Sequence, residues 1–320
     1  MRYRRLGHAG IKLSEIGLGS WLTFGGGVDE AISRKCIRRA FDLGVNFFDT
    51  ADVYHSGEAE KVYGRELSPF RRQDVVVASK CYFPMSDAIN DRGLSRKHIV
   101  ESVEGSLKRL QTSYIDLYQC HRYDPEVELF EVIRAMDDLI RQGKILYWGV
   151  SEWTAEQINS ACDLARDMHA HLPVSNQPEY SIATRQIETN GVQQACVDRR
   201  LGMLLWSPLK QGILTGKYSG GKIPADSRAA NEEMSVFMQE VNRDLVDRVD
   251  RLQPIAQRNG MTMAQFVISW LLSHPAVTSV IIGATKVEQV EENIASTEFR
   301  PLSSDDLAAV DQLFPATGSP

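Results

Sequence analysis

Short apolar runs rich in β-branched residues alternate with longer amphipathic stretches along most of the chain. Eight such runs predict strands, at 16–20, 45–49, 75–80, 115–121, 145–151, 174–177, 203–207 and 277–283. Helical periodicity predicts helices over about 30–43, 58–67, 95–110 and 126–142, a further one from Thr154, and one ending near Arg200. Others follow over about 240–258 and 262–273, from Val287 and from Asp305. Gly44 and Gly143 stand where two of these helices should stop, Ser95 caps another, and Thr154 with Gln157 has capping-box spacing. Residues 1–15 predict no element, and the Gly-, Ser- and Ala-rich stretch 212–236 reads as a long loop over one barrel face.

Most strands are followed by a helix, with a repeat of roughly 30 to 40 residues. That alternation predicts a parallel sheet with helical crossovers, either a closed eight-stranded barrel or an open doubly wound sheet. An open sheet that held a dinucleotide would favour a Gly-x-Gly-x-x-Gly turn, and the chain has none. Eight units without a linker favour the α/β class, as a (β/α)8 TIM barrel forming one domain over 1–320.

The chain is 43% hydrophobic and 24% charged, which suits a soluble globular protein with a sizeable core. A net charge of −6 gives no reason to expect nucleic acid or an anionic membrane as partner. No apolar run reaches the length of a membrane span, and the opening Met1-Arg2-Tyr3-Arg4-Arg5 leads into no signal-peptide core. The five cysteines are widely separated, without a Cys-x-x-Cys pair, so a reducing cytoplasm is the expected compartment. Cys81 is singled out among them because it follows Lys80.

Barrel active sites form where the strands end. Asp49 ends the second predicted strand, with Tyr54 in the loop beyond, and Glu58 and Glu60 fall in the first helical turn, where acids suit the dipole. Lys80 ends the third strand, His121 the fourth, Ser151 the fifth, Asn176-Gln177 the sixth and Trp206-Ser207 the seventh; the eighth runs into Gly283-Ala284-Thr285-Lys286. Any one of these reads as a solvated strand end. Together they place an acid, a phenol, an ammonium, an imidazole, amides and an indole on one rim. A free phenol has a pKa of about 10, too high for an efficient acid near neutrality. An ammonium beside it lowers that value, and a carboxylate keeps a buried lysine charged. Asp49, Lys80 and Tyr54 therefore form a proton relay on Tyr54, and His121 can hold a carbonyl oxygen. A metal site at Asp49 and His121 lacks a further ligand at suitable spacing.

Asp49-Thr50-Ala51, with Tyr54-x-x-Gly57-x-x-Glu60, resembles the signature of the aldo-keto reductases, and Lys80 and His121 fall at the family's lysine and histidine positions. Within that family the chain is similar to the branch containing the voltage-gated potassium channel β-subunits. The similarity lies in Arg92–Ile99, Tyr147–Ser151, Trp206–Leu209 and Gly212–Tyr218, and in Gly283-Ala284-Thr285 with Gln289, Glu292 and Asn293. The resemblance implies carbonyl reduction with NADP(H), a catalytic set of Asp49, Tyr54, Lys80 and His121, and an alternative life as a channel accessory protein with bound coenzyme and little turnover. It also implies coenzyme contacts. Ser151, Asn176 and Gln177 would hold the nicotinamide amide and Trp206 would stack on its ring. Ser207, Pro208, Leu209, Gly212, Lys217 and Arg228 would wrap the pyrophosphate. Gly283, Thr285, Lys286, Gln289, Glu292 and Asn293 would hold the adenosine end. A small carbonyl substrate is the implied partner, and tetramers in that branch imply a homotetramer. His121 replaces the asparagine typical of channel subunits, which implies better equipment for turnover, and Glu152 stands where that branch commonly has arginine. The chain is expected to begin at the barrel, without a pore-blocking extension.

Overall fold

The computed structural model describes residues 1–224, 227, 243–299 and 301–316. Eight parallel strands close in chain order: β3 (Ile16–Gly19), β4 (Phe47–Asp49), β5 (Val76–Cys81), β6 (Ile115–Cys120), β7 (Ile145–Ser151), β8 (Ser175–Gln177), β9 (Gly202–Leu205) and β10 (Val277–Ile282), which pairs back onto β3. Crossover helices surround them: α1 (Glu30–Asp42), α2 (Glu58–Leu67), α3 (Arg96–Leu110), α4 (Leu129–Arg141), α5 (Ala155–Asp167) and α6 (Val192–Arg199). After the stretch outside the described residues come α7 (Arg243–Arg258), α8 (Met263–Leu272), α9 (Val287–Ala295) and α10 (Ser304–Leu313). This is the TIM-barrel architecture that the alternating pattern predicts. Among the described residues no helix is long and apolar enough to cross a membrane.

Two departures have local causes. The fourth helix starts at Leu129 instead of Glu126, because Asp124 holds the preceding turn, accepting from the Glu126 amide at 3.0 Å and from the Leu94 amide at 2.7 Å. The opening residues, for which no element is predicted, form an antiparallel hairpin of β1 (Tyr3–Arg5) and β2 (Lys12–Ser14).

The core has two compartments. The larger lies between strands and helices. The smaller fills the barrel lumen, where Phe47, Val76, Ala78, Leu117 and Leu204 meet Leu6 and Leu13 of the hairpin. The hairpin thus plugs the N-terminal mouth, and Arg4 fastens it. Its Nε donates to Glu15 at 2.7 Å, Nη2 to the Leu272 carbonyl at 2.7 Å, and Nη1 to the carbonyls of Val277 and His274 at 2.7 and 3.3 Å. The opposite mouth is left for chemistry.

Candidate active site

Strand periodicity decides which rim residues face inward. Phe47, Val76-x-Ala78 and Leu117 lie in the lumen. Two residues further along each strand come Asp49, Lys80 and Gln119, and His121 follows in the same phase. Lys80 is wholly buried, and its Nζ donates to Asp49 Oδ2 and to the Thr50 carbonyl, each at 2.7 Å. The Tyr54 hydroxyl lies 3.4 Å from Nζ, and the Tyr54 and His121 rings meet edge to face at 5.6 Å. The sequence-predicted catalytic four therefore converge at one point.

Tyr54 reaches that point because its loop coils tightly. His55, Ser56 and Gly57 all have left-handed backbone, at φ 47°, 53° and 89°. A Cβ on Gly57 would sit 2.6 Å from Arg109 Cδ. Arg109 passes there to reach Glu60 Oε2 at 2.6 Å, and Glu60 also accepts from the Ser79 hydroxyl. Glu60 is therefore a buried ion-pair partner, not the helix-dipole acid expected from its place in the first turn. Glu58 is the exposed one, paired with Lys61 at 2.6 Å.

Electrostatics refine the proton relay. Burial raises the Tyr54 pKa above the ordinary phenol value, outweighing the opposing pull of Lys80. The expected net lowering does not occur, and the phenol is held protonated, as a donor must be. Burial works against the Lys80 ammonium, yet Asp49 and Tyr54 prevail and its pKa rises. Burial, then Lys80 and Arg122, push the His121 pKa well below its ordinary value, so the ring is a neutral imidazole. Cys81, the thiol singled out in the sequence, is fully buried, and burial raises its pKa well above the usual range, so it is an unreactive core residue.

Tyr54 and His121 open into a cavity of about 790 Å³ that runs across the rim. It is lined by Ser151, Gln177, Trp206, Ser207, Pro208 and Leu209, continues past Gly212 and Lys217, and reaches Gly283, Thr285, Lys286, Gln289, Glu292 and Asn293. Gln177 Nε2 donates to Asp49 Oδ1 at 2.9 Å, and the Ser151 hydroxyl donates to the Gln177 carbonyl at 2.9 Å. Asn176, expected beside them, has the opposite phase. It does not line the cavity, and its side chain lies next to Cys196 of α6. Arg228 falls outside the described residues.

Trp206 is held at its edge, not only by packing. Its Nε1 donates to Glu152 Oε1 at 2.7 Å, and its ring meets Trp21 edge-on at 5.7 Å. Glu152, with φ 58°, also accepts from the Glu179 amide at 2.5 Å. Sequence reasoning saw Glu152 only as a lost cation; its bonds depend on β8 and β9, which the sequence does not bring together visibly. Of the aromatic residues, Trp21 lines the cavity, whereas Trp148 and Trp153 are core and Tyr82 packs against that core. Phe83, Pro84 and Arg122 complete the wall near His121 and were not foreseen.

Residues 15–314 match the Aldo/keto reductase family. The chain belongs to that family. Among aldo/keto reductase relatives, it is 42% identical over 308 residues to a probable voltage-gated potassium channel subunit beta of Oryza sativa subsp. japonica, covering 94% of this chain and 93% of that one. A probable voltage-gated potassium channel subunit beta of Arabidopsis thaliana is 42% identical over 309 residues, with 94% and 93% covered. A putative voltage-gated potassium channel subunit beta of Schizosaccharomyces pombe is 40% identical over 304 residues, with 93% and 88% covered. The family is that of an oxidoreductase.

Proposed function

We propose that this protein is an NADP(H)-dependent oxidoreductase that reduces aldehydes or ketones to alcohols, with Tyr54 as general acid. The observation that carries this reading is a wholly buried ammonium, Lys80, set between the Asp49 carboxylate at 2.7 Å and the Tyr54 hydroxyl at 3.4 Å. The coenzyme, when bound, supplies a hydride to the carbonyl carbon. Tyr54 gives its phenolic proton to the carbonyl oxygen as negative charge develops there. Lys80, kept charged by Asp49, stabilises the phenolate that remains until solvent returns a proton. His121, as a neutral ring, donates one hydrogen bond that orients the same oxygen.

The cavity suits a dinucleotide in its donor set. Trp206 offers an indole face near Ser151 and Gln177, the groups we assign to the nicotinamide amide. The loop after β9 brings the Lys217 ammonium so close to Gly212 that a Cβ there would lie 2.8 Å from it, a cationic turn suited to a pyrophosphate. Lys286 stands at the position before the first turn of α9, where backbone amides and a cation together suit a 2′-phosphate. Gln289 Oε1 accepts from the Thr285 amide at 2.8 Å and so shapes that end. A cytoplasmic location, a single domain and a homotetramer go with the same reading, the first supported by five buried free thiols.

Oxidation of NADPH followed at the nicotinamide absorbance, against a panel of aldehydes and ketones, tests the proposal. Tyr54→Phe should lower turnover by about a hundredfold or more, because only the transferring hydroxyl is lost, while NADPH binding by fluorescence titration persists. Wild-type-like turnover of that variant would remove Tyr54 from the role. The relatives' names favour a second reading, a channel accessory protein. It predicts tight NADPH binding with no oxidation by any carbonyl compound.

A further inference from the structure

One cation at the substrate end of the cavity is unused by the reaction above. Arg122 follows His121 and lines the cavity with Tyr54, Phe83 and Pro84. Its Nη1 donates to the His121 carbonyl at 2.6 Å, and its guanidinium carbon stands 5.5 Å from the centre of the Phe83 ring. These contacts fix the plane of the group but engage only one of its five N–H donors in a hydrogen bond. Among the described residues Arg122 makes no ion pair. Among the described residues the acids that line the cavity are Asp49, already bound to Lys80, and Glu292, at the opposite end on α9. A guanidinium stays charged at any accessible pH, and half-buried beside an aromatic ring it gains most from an anion that is itself drawn out of water.

We propose that Arg122 is a specificity-determining residue that selects carbonyl substrates bearing a carboxylate, that is, aldehyde or keto acids. The inference rests on the reductase reading and narrows its substrate class. The planar fork of a guanidinium matches a carboxylate, forming charge-assisted hydrogen bonds. Because Arg122 adjoins the imidazole that orients the reacting oxygen, the acid group sits within a few bonds of the carbonyl. Phe83, whose ring meets His121 at 4.9 Å and the Arg122 guanidinium at 5.5 Å, borders the space between, so an aromatic spacer fits. The groups assigned to the coenzyme come from β7 onward, which places Arg122 on the substrate side.

The probes are the three formylbenzoates, each paired with its neutral methyl ester, in NADPH-dependent reduction. For at least one isomer the wild type should favour the acid by about ten- to a hundredfold in kcat/KM, mainly through KM, as expected for a charged hydrogen-bonding partner. Arg122→Met should bring that ratio close to one, and Arg122→Lys should recover part of it. Benzoate should raise the melting temperature of the NADPH-saturated wild type and not of Arg122→Met. An acid-to-ester ratio near one in the wild type, or one that survives in Arg122→Met, overturns the proposal. So does a loss of NADPH affinity in Arg122→Met that exceeds the loss of acid preference, which would assign the guanidinium to a coenzyme phosphate. If esters and acids alike fail to oxidise NADPH, the reductase reading falls, and the benzoate shift alone then decides whether Arg122 holds a carboxylate.

Discussion

Asp52 lies three residues beyond Asp49 and is just as acidic in the sequence, yet its surroundings reverse its chemistry. It is fully buried, and neither carboxyl oxygen meets a donor in hydrogen-bond geometry among the described residues. Burial and then the Glu60 charge raise its pKa to about 8, against weaker opposing pulls from the Val53 amide, Arg109 and Ser102. The folded state therefore keeps a proton that the unfolded chain loses near pH 4, so this group's stabilisation falls as pH rises from about 4 to 8. Asp52→Asn cannot lose that proton. Between pH 5 and pH 8 its unfolding free energy should drop less than that of the wild type, by about 2–4 kcal/mol, measured by urea denaturation. The same pH difference in both proteins would mean that Asp52 is already ionised in the fold. Nothing in Asp49-Thr50-Ala51-Asp52 distinguishes the two acids. Asp49 is legible because it ends a strand in the lumen phase, whereas the fate of Asp52 depends on Glu60 and Arg109, brought in from α2 and α3.

At the scale of elements, the predicted strands and helices survive because each has its own signal: apolar runs, caps and stop glycines. The β1–β2 hairpin is missed because two three-residue strands offer too short a pattern to read. Loops carry the chemistry and are the least legible. The Tyr54 loop depends on Gly57, where a side chain would meet Arg109 and strain a φ of 89°. Gly57→Ala should cost about 1–3 kcal/mol and also lower turnover, since Tyr54 shares the loop; calorimetry and the NADPH assay would show a loss in both. A stable, fully active variant would mean that the loop relaxes freely. The Glu152 loop makes a different prediction. Glu152→Ala frees the indole edge of Trp206, so NADPH should bind about tenfold more weakly, with less quenching of indole fluorescence. Glu152→Gln, which retains an acceptor oxygen, should recover most of that affinity; equal losses in both variants would point to the carboxylate charge instead of the hydrogen bond.

For the molecule as a whole, the barrel is legible from repetition. Eight similar units without a dinucleotide turn leave few other ways to satisfy eight parallel strands. The plug at its base is not legible, since Arg4 must find carbonyls some 270 residues away. Arg4→Met would leave Glu15 without its ion-pair partner and three carbonyls without their shared donor. A loss of about 3 kcal/mol is expected, visible as an earlier urea midpoint, with chemistry at the opposite mouth little changed. An unshifted midpoint would show the hairpin to be held by Leu6 and Leu13 alone.

That fastening also sets an order of events during synthesis. The hairpin leaves the ribosome well before the carbonyls that hold it, at Leu272, His274 and Val277. Until β10 emerges, β3 has an open edge and the lumen has no closed wall for the plug to enter. A nascent chain that has not yet reached Ile282 therefore carries a greasy, unseated hairpin beside an unpaired strand, the kind of surface that chaperones hold. A strand made some 270 residues later decides whether the hairpin finds its place.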